Sequence, residues 1–432
     1  MKQKSIYFDY AATTPLDPAV VQEMARVQKQ FFGNPASLHG YGQEALAVVD
    51  GAREVISKSI GAKFQEIIFT GSATEANNLA LRGVIAAHRR LTQTLTQTNA
   101  DKLKVREGLR PRLIISAVEH ESIRETARDL EAHGMEVVWI PVDQEGIVNI
   151  GALRNALSEQ TLLVSVMYVN NVVGTIQPIE EIGKVIKEFK KKRKGNILYP
   201  LFHTDAVQAF QYLDCNADML GVDLMTLSAH KIYGPKGVGA LYVRQKDVRL
   251  KKYEVGKKDS GKTFLPLTSY VLPLVTGGGQ EYGLRSGTVN VPGVAGFAKA
   301  IELASRCRTK EALRVAKLRD YAFKEIKKRL PDGIFVNGAR TERIPNNINI
   351  FCKGKDALDL SIRLDRMGIA VSAGPACASR TAMPSPVLNA MGFSDERAKG
   401  SLRITLGRQT TRRAIDALLG AFVELYPRGE RP

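Results

Sequence analysis

The apolar run DLMTLS at 223–228 leads straight into Ala229-His230-Lys231, and the glycine-bearing segment IYGPKGVGALYV follows. A lysine where a strand ends inside a protein loses its proton more readily than one on the surface, because burial disfavours the charged form. The neutral amine attacks carbonyl carbon and can form a Schiff base. Alone, a lysine after a strand reads equally well as a surface loop residue. Its surroundings add to it. His203-Thr204-Asp205-Ala206-Val207-Gln208 closes another apolar run, with Asp205 lying 231 − 205 = 26 residues before Lys231. Asp205 is placed to face a cationic ring nitrogen or to cap the next helix, and the two roles are compatible. Gln208, three residues on, is in reach of an oxygen on the same ring.

A second constellation supplies an anion site. The run EIIFT ends at Thr70 and passes into Gly71-Ser72-Ala73-Thr74-Glu75-Ala76-Asn77-Asn78. A strand, a turn of small residues and a helix start aim backbone N–H groups and the helix dipole at one point. Thr74 adds a hydroxyl. No Gly-Lys-Ser/Thr follows, so the turn is not the nucleotide-binding type, and the phosphate of an organic cofactor suits it better. An ordinary capped helix is the other reading. RLIISAVEH ends at His120 and VSVMYVNN at Asn170-Asn171. A flat imidazole at 120 can stack on a cofactor ring and move protons. An amine, a carboxylate and a phosphate turn form the set that pyridoxal 5'-phosphate needs.

The elements that position these residues follow from the hydrophobic pattern. Seven short apolar runs alternate with helical patterns: EIIFT, RLIISA at 112–117, VVWIPV at 137–142, LLVSVMYV at 162–169, NILYPLF at 196–202, DLMTLS and VGALYV at 238–243. Strands separated by helices predict a mostly parallel sheet covered on both faces. Ligands bind such sheets at the C-terminal ends of the strands, where the chemistry-bearing residues fall. From Glu180 the helical period places Ile182, Val185, Ile186 and Phe189 on one face, and Ile415, Leu418, Leu419 and Phe422 repeat it near the end. Past about residue 305 the pattern restarts as a smaller α/β unit.

The 432 residues carry 62 Lys+Arg against 44 Asp+Glu, a formal charge of +18, which favours anionic partners and leaves direct nucleic-acid binding open. No nucleic-acid module is recognisable. The basic excess gathers in Lys190 to Lys194 and in 246–262, which holds seven Lys/Arg against three acids. Residues 89–112 read as a further surface excursion. The four cysteines, Cys215, Cys307, Cys352 and Cys377, have no paired spacing, which indicates neither a metal site nor a disulfide scaffold. No run is long and apolar enough to span a membrane and no secretory signal is evident, so a cytoplasmic protein is expected.

Taken in order, these segments resemble the NifS/IscS-type cysteine desulfurases, in the fold-type I (aminotransferase class V) group of pyridoxal-phosphate enzymes. The resemblance begins with YFDYAATTP at 7–15 and FGNPASLHGYG at 32–42. It continues through TGSATEANNLAL, VEHESI, VNNVVG, HTDAVQ and SAHKIYGPKGVGALYV, then GGGQEYGLRSGT at 277–288, AGPACAS at 373–379 and SLRITLGR at 401–408. Two departures stand out. VNNVVG replaces the usual VNNEIG, and AGPAC replaces SGSAC, putting Pro375 before the cysteine.

The resemblance implies an α/β fold with a large cofactor-binding domain, residues 17–304, and a small domain from 1–16 and 305–432 that carries a catalytic cysteine loop. It makes Lys231 the Schiff-base lysine, Asp205 the partner of the pyridine nitrogen and His120 the stacking histidine and acid/base candidate. Gln208 and Asn171 would bond the ring oxygen and the substrate. Ala73, Thr74, Ser228 and His230 would hold the phosphate, joined by Thr288 from the other subunit of a homodimer. Arg403 would clamp the substrate carboxylate, a task suited to a bidentate guanidinium. Cys377 would carry the persulfide. Small residues and loop formers surround it, as a sulfur-delivering nucleophile needs, and Arg380 is near enough to favour its thiolate. The other three cysteines read as buried small hydrophobes.

The implied reaction converts L-cysteine to L-alanine. The sulfur then passes to an acceptor protein, an iron–sulfur scaffold or a tRNA-thiolation enzyme. Selenocysteine lyase or another class V activity is the enzymatic alternative. A basic nucleic-acid-binding protein on an inactive enzyme fold is the non-enzymatic one, and the intact set of Lys231, Asp205, His120 and Cys377 argues against it.

Overall fold

The structure, a computed structural model, describes residues 5–98, 110–193, 198–245, 247–248, 263–264, 270–330, 333–373 and 384–426. A short strand, β1 (Ile6–Tyr7), precedes two helices, α1 (Pro18–Gln30) and α2 (Gly40–Ser59). Strand–helix alternation then begins: β2 (Ile67–Thr70), α3 (Ala73–Thr98), β3 (Arg112–Ser116), α4 (Glu121–Ala132), β4 (Glu136–Ile140), α5 (Ile150–Ala156), β5 (Thr161–Ser165), α6 (Ile179–Lys191), β6 (Leu201–Asp205), α7 (Ala217–Leu220), β7 (Leu224–Ser228) and β8 (Gly239–Val243).

The seven apolar runs become the seven strands β2 to β8 of one sheet, ordered β2-β8-β7-β6-β5-β3-β4. Only β8 runs against its neighbours, pairing antiparallel with both β2 and β7. One strand starts later than its apolar run. NILYPLF contains Pro200, which has no N–H for a ladder, and β6 begins after it at Leu201. Alternate side chains point to opposite faces. Ile114, Val164, Phe202 and Met225 enter one apolar cluster, and Ile115, Leu163, Leu201 and Leu224 enter the other. Both faces are covered, so the strands are apolar throughout rather than alternating. On α6 the expected face holds: Ile182, Val185 and Ile186 are buried, and Phe189 packs against the same cluster.

A two-stranded ribbon, β9 (Asp247–Val248) with β10 (Thr263–Phe264), precedes α8 (Val291–Arg329). This 39-residue helix starts with a proline in its first turn and an Asn290 side-chain cap on Gly293 N, and ends on Lys327, Lys328 and Arg329, which complement its dipole. It is continuous across residues 304 and 305, packing first on α1 and α2 and later on α12. Beyond it lie β11 (Ile334–Val336), β12 (Asn347–Cys352), α9 (Ala357–Arg366), β13 (Ile369–Ala370), α10 (Pro386–Ala390), α11 (Asp395–Lys399), β14 (Ser401–Thr405) and α12 (Arg412–Leu425). β11, β12 and β14 form an antiparallel sheet, and β13 pairs in parallel with β1.

Residues 5–14 are a strap between the two parts. Phe8 N donates to Ala370 O and Thr405 N to Phe8 O on the small-sheet side. Thr14 N donates to His230 O on the large-sheet side. No helix among the described residues is long and apolar enough to cross a membrane.

Candidate active site

The strands that run one way end at a common edge, and a cavity of about 250 Å³ opens there. Ala73, Thr74, His120, Asn171, Asp205, Gln208, His230, Lys231 and Arg403 all line it. Nine residues named from sequence thus converge from β2, β3, β5, β6, β7 and β14, six strands far apart in the chain.

One end of the cavity is built by the turn after β2. Ser72 Oγ accepts from Glu75 N (3.1 Å) and caps α3. The next N–H groups, of Ala73 and Thr74, belong to the first helical turn, which has no acceptor inside the helix. Glu75 does not compete for anions here. Its carboxylate accepts from Gly71 N (2.7 Å) and from Arg285 Nε (2.9 Å). The turn sits tightly on the start of β8: a Cβ at Gly239 would lie 2.8 Å from Ser72 C and 2.9 Å from Ala73 N. Ser228 Oγ, at the end of β7, is buried without a hydrogen-bond partner among the described residues. His230 pairs through Nδ1 with Thr13 Oγ1 (3.1 Å), and burial, then Lys231 and Lys236, push its pKa down to about 4. It is neutral at physiological pH.

Lys231 follows β7 in a short 3-10 turn. Its Nζ donates to Ala11 O and Ala12 O, both at 2.7 Å. Gln208 Nε2 also donates to Ala11 O (3.0 Å). The strap therefore fixes the amine and the amide through its own carbonyls, acceptors that no side-chain pattern announces.

Asp205 closes β6 and is 6% exposed. One carboxylate oxygen accepts from Val207 N (3.0 Å) and closes a turn, where a helix cap was the alternative read from sequence; the next helix, α7, starts only at Ala217 and is capped by Asn216. The other accepts from Asn77 Nδ2 (2.9 Å). Asn77 Nδ2 also donates to Ser122 Oγ (2.8 Å), and Ser122 meets His120 Nδ1 with both its hydroxyl (2.9 Å) and its backbone N–H (3.1 Å). Burial pushes the His120 imidazole below its ordinary pKa, while Asp205 pulls it up and Lys231 pushes it down. Asn77 and Ser122 lay inside motifs recognised from sequence but carried no signal of their own. Beneath them Glu119 is buried, accepting from Met167 N (2.6 Å), and burial raises its carboxyl well above the usual range.

Arg403 comes from β14 and is only 2% exposed. Nη2 is paired with Asp9 Oδ1 (2.8 Å) and Nη1 donates to Asn171 O (3.2 Å), while Nε has no partner among the described residues. Asn171 lines the cavity. Its neighbour Asn170 is locked into the loop instead, accepting from Val172 N and Val173 N and donating to Val118 O, each at 2.9 Å.

Three sequence readings fall elsewhere. Thr288 is exposed and does not line the cavity of its own chain. Cys377, with Pro375 and Arg380, lies outside the described residues. Cys215 and Cys352 are buried as expected, which raises both thiols to about 12. Cys307 is exposed, contrary to expectation, because it falls in the outward-facing stretch of α8 between the buried Ala304 and Val315. Among the described residues no group of His, Cys, Asp and Glu could hold a metal ion.

The donor set fits pyridoxal 5'-phosphate. The N–H groups of the first turn of α3 mark an anion position at one end, and a buried carboxylate with capacity left over stands along the cavity from a lysine amine. Ser228, expected at the phosphate, is buried at the end of β7 and is not among the residues that line the cavity. Residues 6–418 match the family described as Aminotransferase class-V. A solved structure named "NIFS-LIKE PROTEIN" superposes with a TM-score of 0.79 at 32% identity, covering 98% of this chain and 99% of that one. Another, "SspA in complex with cysteine", gives a TM-score of 0.71 at 30% identity, covering 93% and 99%. "Cysteine desulfurase IscS" of Dictyoglomus turgidum is 42% identical over 417 residues, 96% of this chain and 93% of that protein. "Cysteine desulfurase IscS 1" of Archaeoglobus fulgidus is 38% identical over 413 residues, 96% and 94%. The chain belongs to the cysteine desulfurases of the aminotransferase class V family, and its cofactor is pyridoxal 5'-phosphate.

Proposed function

We propose that the chain removes the sulfur of free L-cysteine, leaves L-alanine, and receives the sulfur on Cys377. The observation that carries this is the convergence of the Lys231 amine, the Asp205 carboxylate and the Arg403 guanidinium on one cavity. Arg403 takes the substrate carboxylate, with its unpaired Nε and the remaining Nη protons as donors. Asp205 holds a proton on the cofactor's ring nitrogen, and Thr74, His230 and the N–H groups at Ala73 hold its phosphate. Bound there, pyridoxal phosphate supplies an electron sink for the substrate's Cα. Lys231 Nζ takes the Cα proton and returns it nearby, steadied by Ala11 O and Ala12 O. In the net step the C–S bond of cysteine breaks, an S–S bond forms at Cys377 Sγ, and the former Cβ gains a hydrogen. Cysteine plus a thiol gives alanine plus a persulfide, so no outside oxidant or reductant enters.

The active unit in this reading is a cytoplasmic homodimer in which Thr288 of one protomer reaches the phosphate held by its partner. Its exposure, away from its own cavity, supports that. The persulfide passes to an iron–sulfur scaffold or a tRNA-thiolation enzyme. The positive charge steers acidic acceptors toward the surface. Lys184, Lys187 and Lys191 are exposed on α6, whereas Lys190 turns inward to pair with Asp223 (3.6 Å). The test is Cys377→Ser. The variant is expected to bind cofactor and cysteine and to yield almost no alanine or sulfide. Sulfide production equal to the parent's would exclude Cys377.

A further inference from the structure

His120 is held on its Nδ1 side by a chain of hydrogen bonds that begins at Asp205. Asn77 is buried, and its orientation is unambiguous because Nδ2 faces a carboxylate oxygen that can only accept. Its second N–H goes to Ser122 Oγ. Asn77 Oδ1 is left buried without a partner among the described residues, so the side chain acts here through its two N–H donors. Ser122 Oγ, already accepting from Asn77, sends its own proton to His120 Nδ1 at 2.9 Å. Ser122 N donates to the same nitrogen at 3.1 Å. A ring nitrogen that receives two donors must offer its lone pair, so the neutral ring carries its proton on Nε2.

We propose that Asn77 and Ser122 are positioning residues that fix His120 as the Nε2–H tautomer, so that the ring presents a hydrogen-bond donor, not a base, to the substrate side of the cavity. The proposal deepens the desulfurase reading and rests on it for its purpose. The charged groups facing the ring are Asp205 from β6, Lys231 after β7, Glu121 from α4 and Arg403 from β14. The two carboxylates stabilise an imidazolium and the two cations oppose it. Neutral donors on Nδ1 add to the opposition, since a protonated Nδ1 would meet the Ser122 N–H head-on.

The test is nitrogen-15 NMR of holoenzyme labelled at histidine, with the His120 signals assigned by their loss in His120→Asn. The parent is expected to show a pyridine-type Nδ1 and a protonated Nε2. In Ser122→Ala one of the two donors is gone, and the apparent pKa of His120 should rise by about half to one unit, the worth of a neutral hydrogen bond. Asn77→Ala should shift it the same way, because a Ser122 hydroxyl without its donor can turn and accept. Ser122→Thr, which keeps the hydroxyl, should restore the parent titration. A protonated Nδ1 in the parent overturns the proposal, as does a His120 titration unchanged in both alanine variants. Should Asn77→Ala fail to fold, Ser122→Ala and Ser122→Thr still decide. The tautomer is read without turnover, so a chain inactive toward cysteine but with the expected tautomer would sink the desulfurase reading and leave this one standing.

Discussion

Gly239→Ala tests whether the turn after β2 is the cofactor's phosphate cradle. A Cβ at 239 would sit 2.8 Å from Ser72 C, 2.9 Å from Ala73 N and 3.0 Å from Leu227 O, all backbone atoms. An ordinary carbon contact is about 3.5 Å, so about 0.5–0.7 Å must be found. Gly239 is held in the ladder by its pairing with both Thr70 and Ser228, and Leu227 lies inside β7. Ser72 and Ala73 lie at the sheet edge and are the atoms free to retreat. Overpacking of this kind costs about 1–3 kcal/mol. If most of it falls on the turn that must hold phosphate, pyridoxal phosphate binds about 5–150-fold more weakly, at 1.4 kcal/mol per tenfold. Titration of the apoenzyme with cofactor, followed by absorbance, reads this directly. A variant that binds cofactor as tightly as its parent, with the same melting temperature, would refute the placement of the phosphate at this turn.

Lys231→Ala should lose the visible absorbance of lysine-linked pyridoxal, and borohydride should no longer fix the cofactor to the chain. A reducible link persisting at another lysine would show that Lys231 was misassigned. Asp9→Asn keeps an acceptor for Arg403 Nη2 but removes the charge that orients it. It should raise the KM for cysteine several-fold while leaving the cofactor spectrum unchanged, and an unaltered KM would count against the clamp. His203, buried between Ser165 and Thr226, has its pKa pushed down to about 3 by burial. The unfolded chain then binds more protons than the folded one between about pH 3 and 6.5. Stability should therefore fall on acidification through that window, by up to about 1.4 kcal/mol per pH unit from this group. Denaturant melts at pH 6.5 and 4.5 should show a shallower dependence in His203→Asn, and an identical slope would remove His203 as the cause.

The residues readable from sequence share a property: each is a side chain whose type is costly or unusual where it stands. A lysine, an aspartate and a histidine at the ends of apolar strands are conspicuous because burial penalises them, and all three reach the cavity. Ala11 and Ala12 give no such signal, since their contribution is two carbonyl oxygens that any residue would carry. Asn77 and Ser122 were equally silent. An asparagine in the second turn of one helix and a serine in the first turn of another are ordinary near helix starts, and only the third dimension brings them to one carboxylate and one imidazole. Charge was misleading in one place. Lys190 sits in a basic run, yet the helical period turns it toward Asp223 while Lys184, Lys187 and Lys191 face outward. The antiparallel direction of β8 was also hidden, because a strand buried on both faces has the same composition whichever way it runs.

The strap of residues 5–14 has a consequence for how the enzyme comes into being. Ile6 pairs with Ile369 and Asp9 bridges to Thr405, separations of 369 − 6 = 363 and 405 − 9 = 396 residues. Synthesis proceeds from the N-terminus at about 5–20 residues per second, so the carbonyls that steady Lys231 are made well before the strands that hold them in place. On a ribosome, the large sheet can collect its own strands while residues 5–14 wait for β13 and β14. Contacts so distant along the chain are also the slowest to form. The carbonyls that hold the Lys231 amine are thus themselves held by strands that exist only once the chain has been made past residue 405.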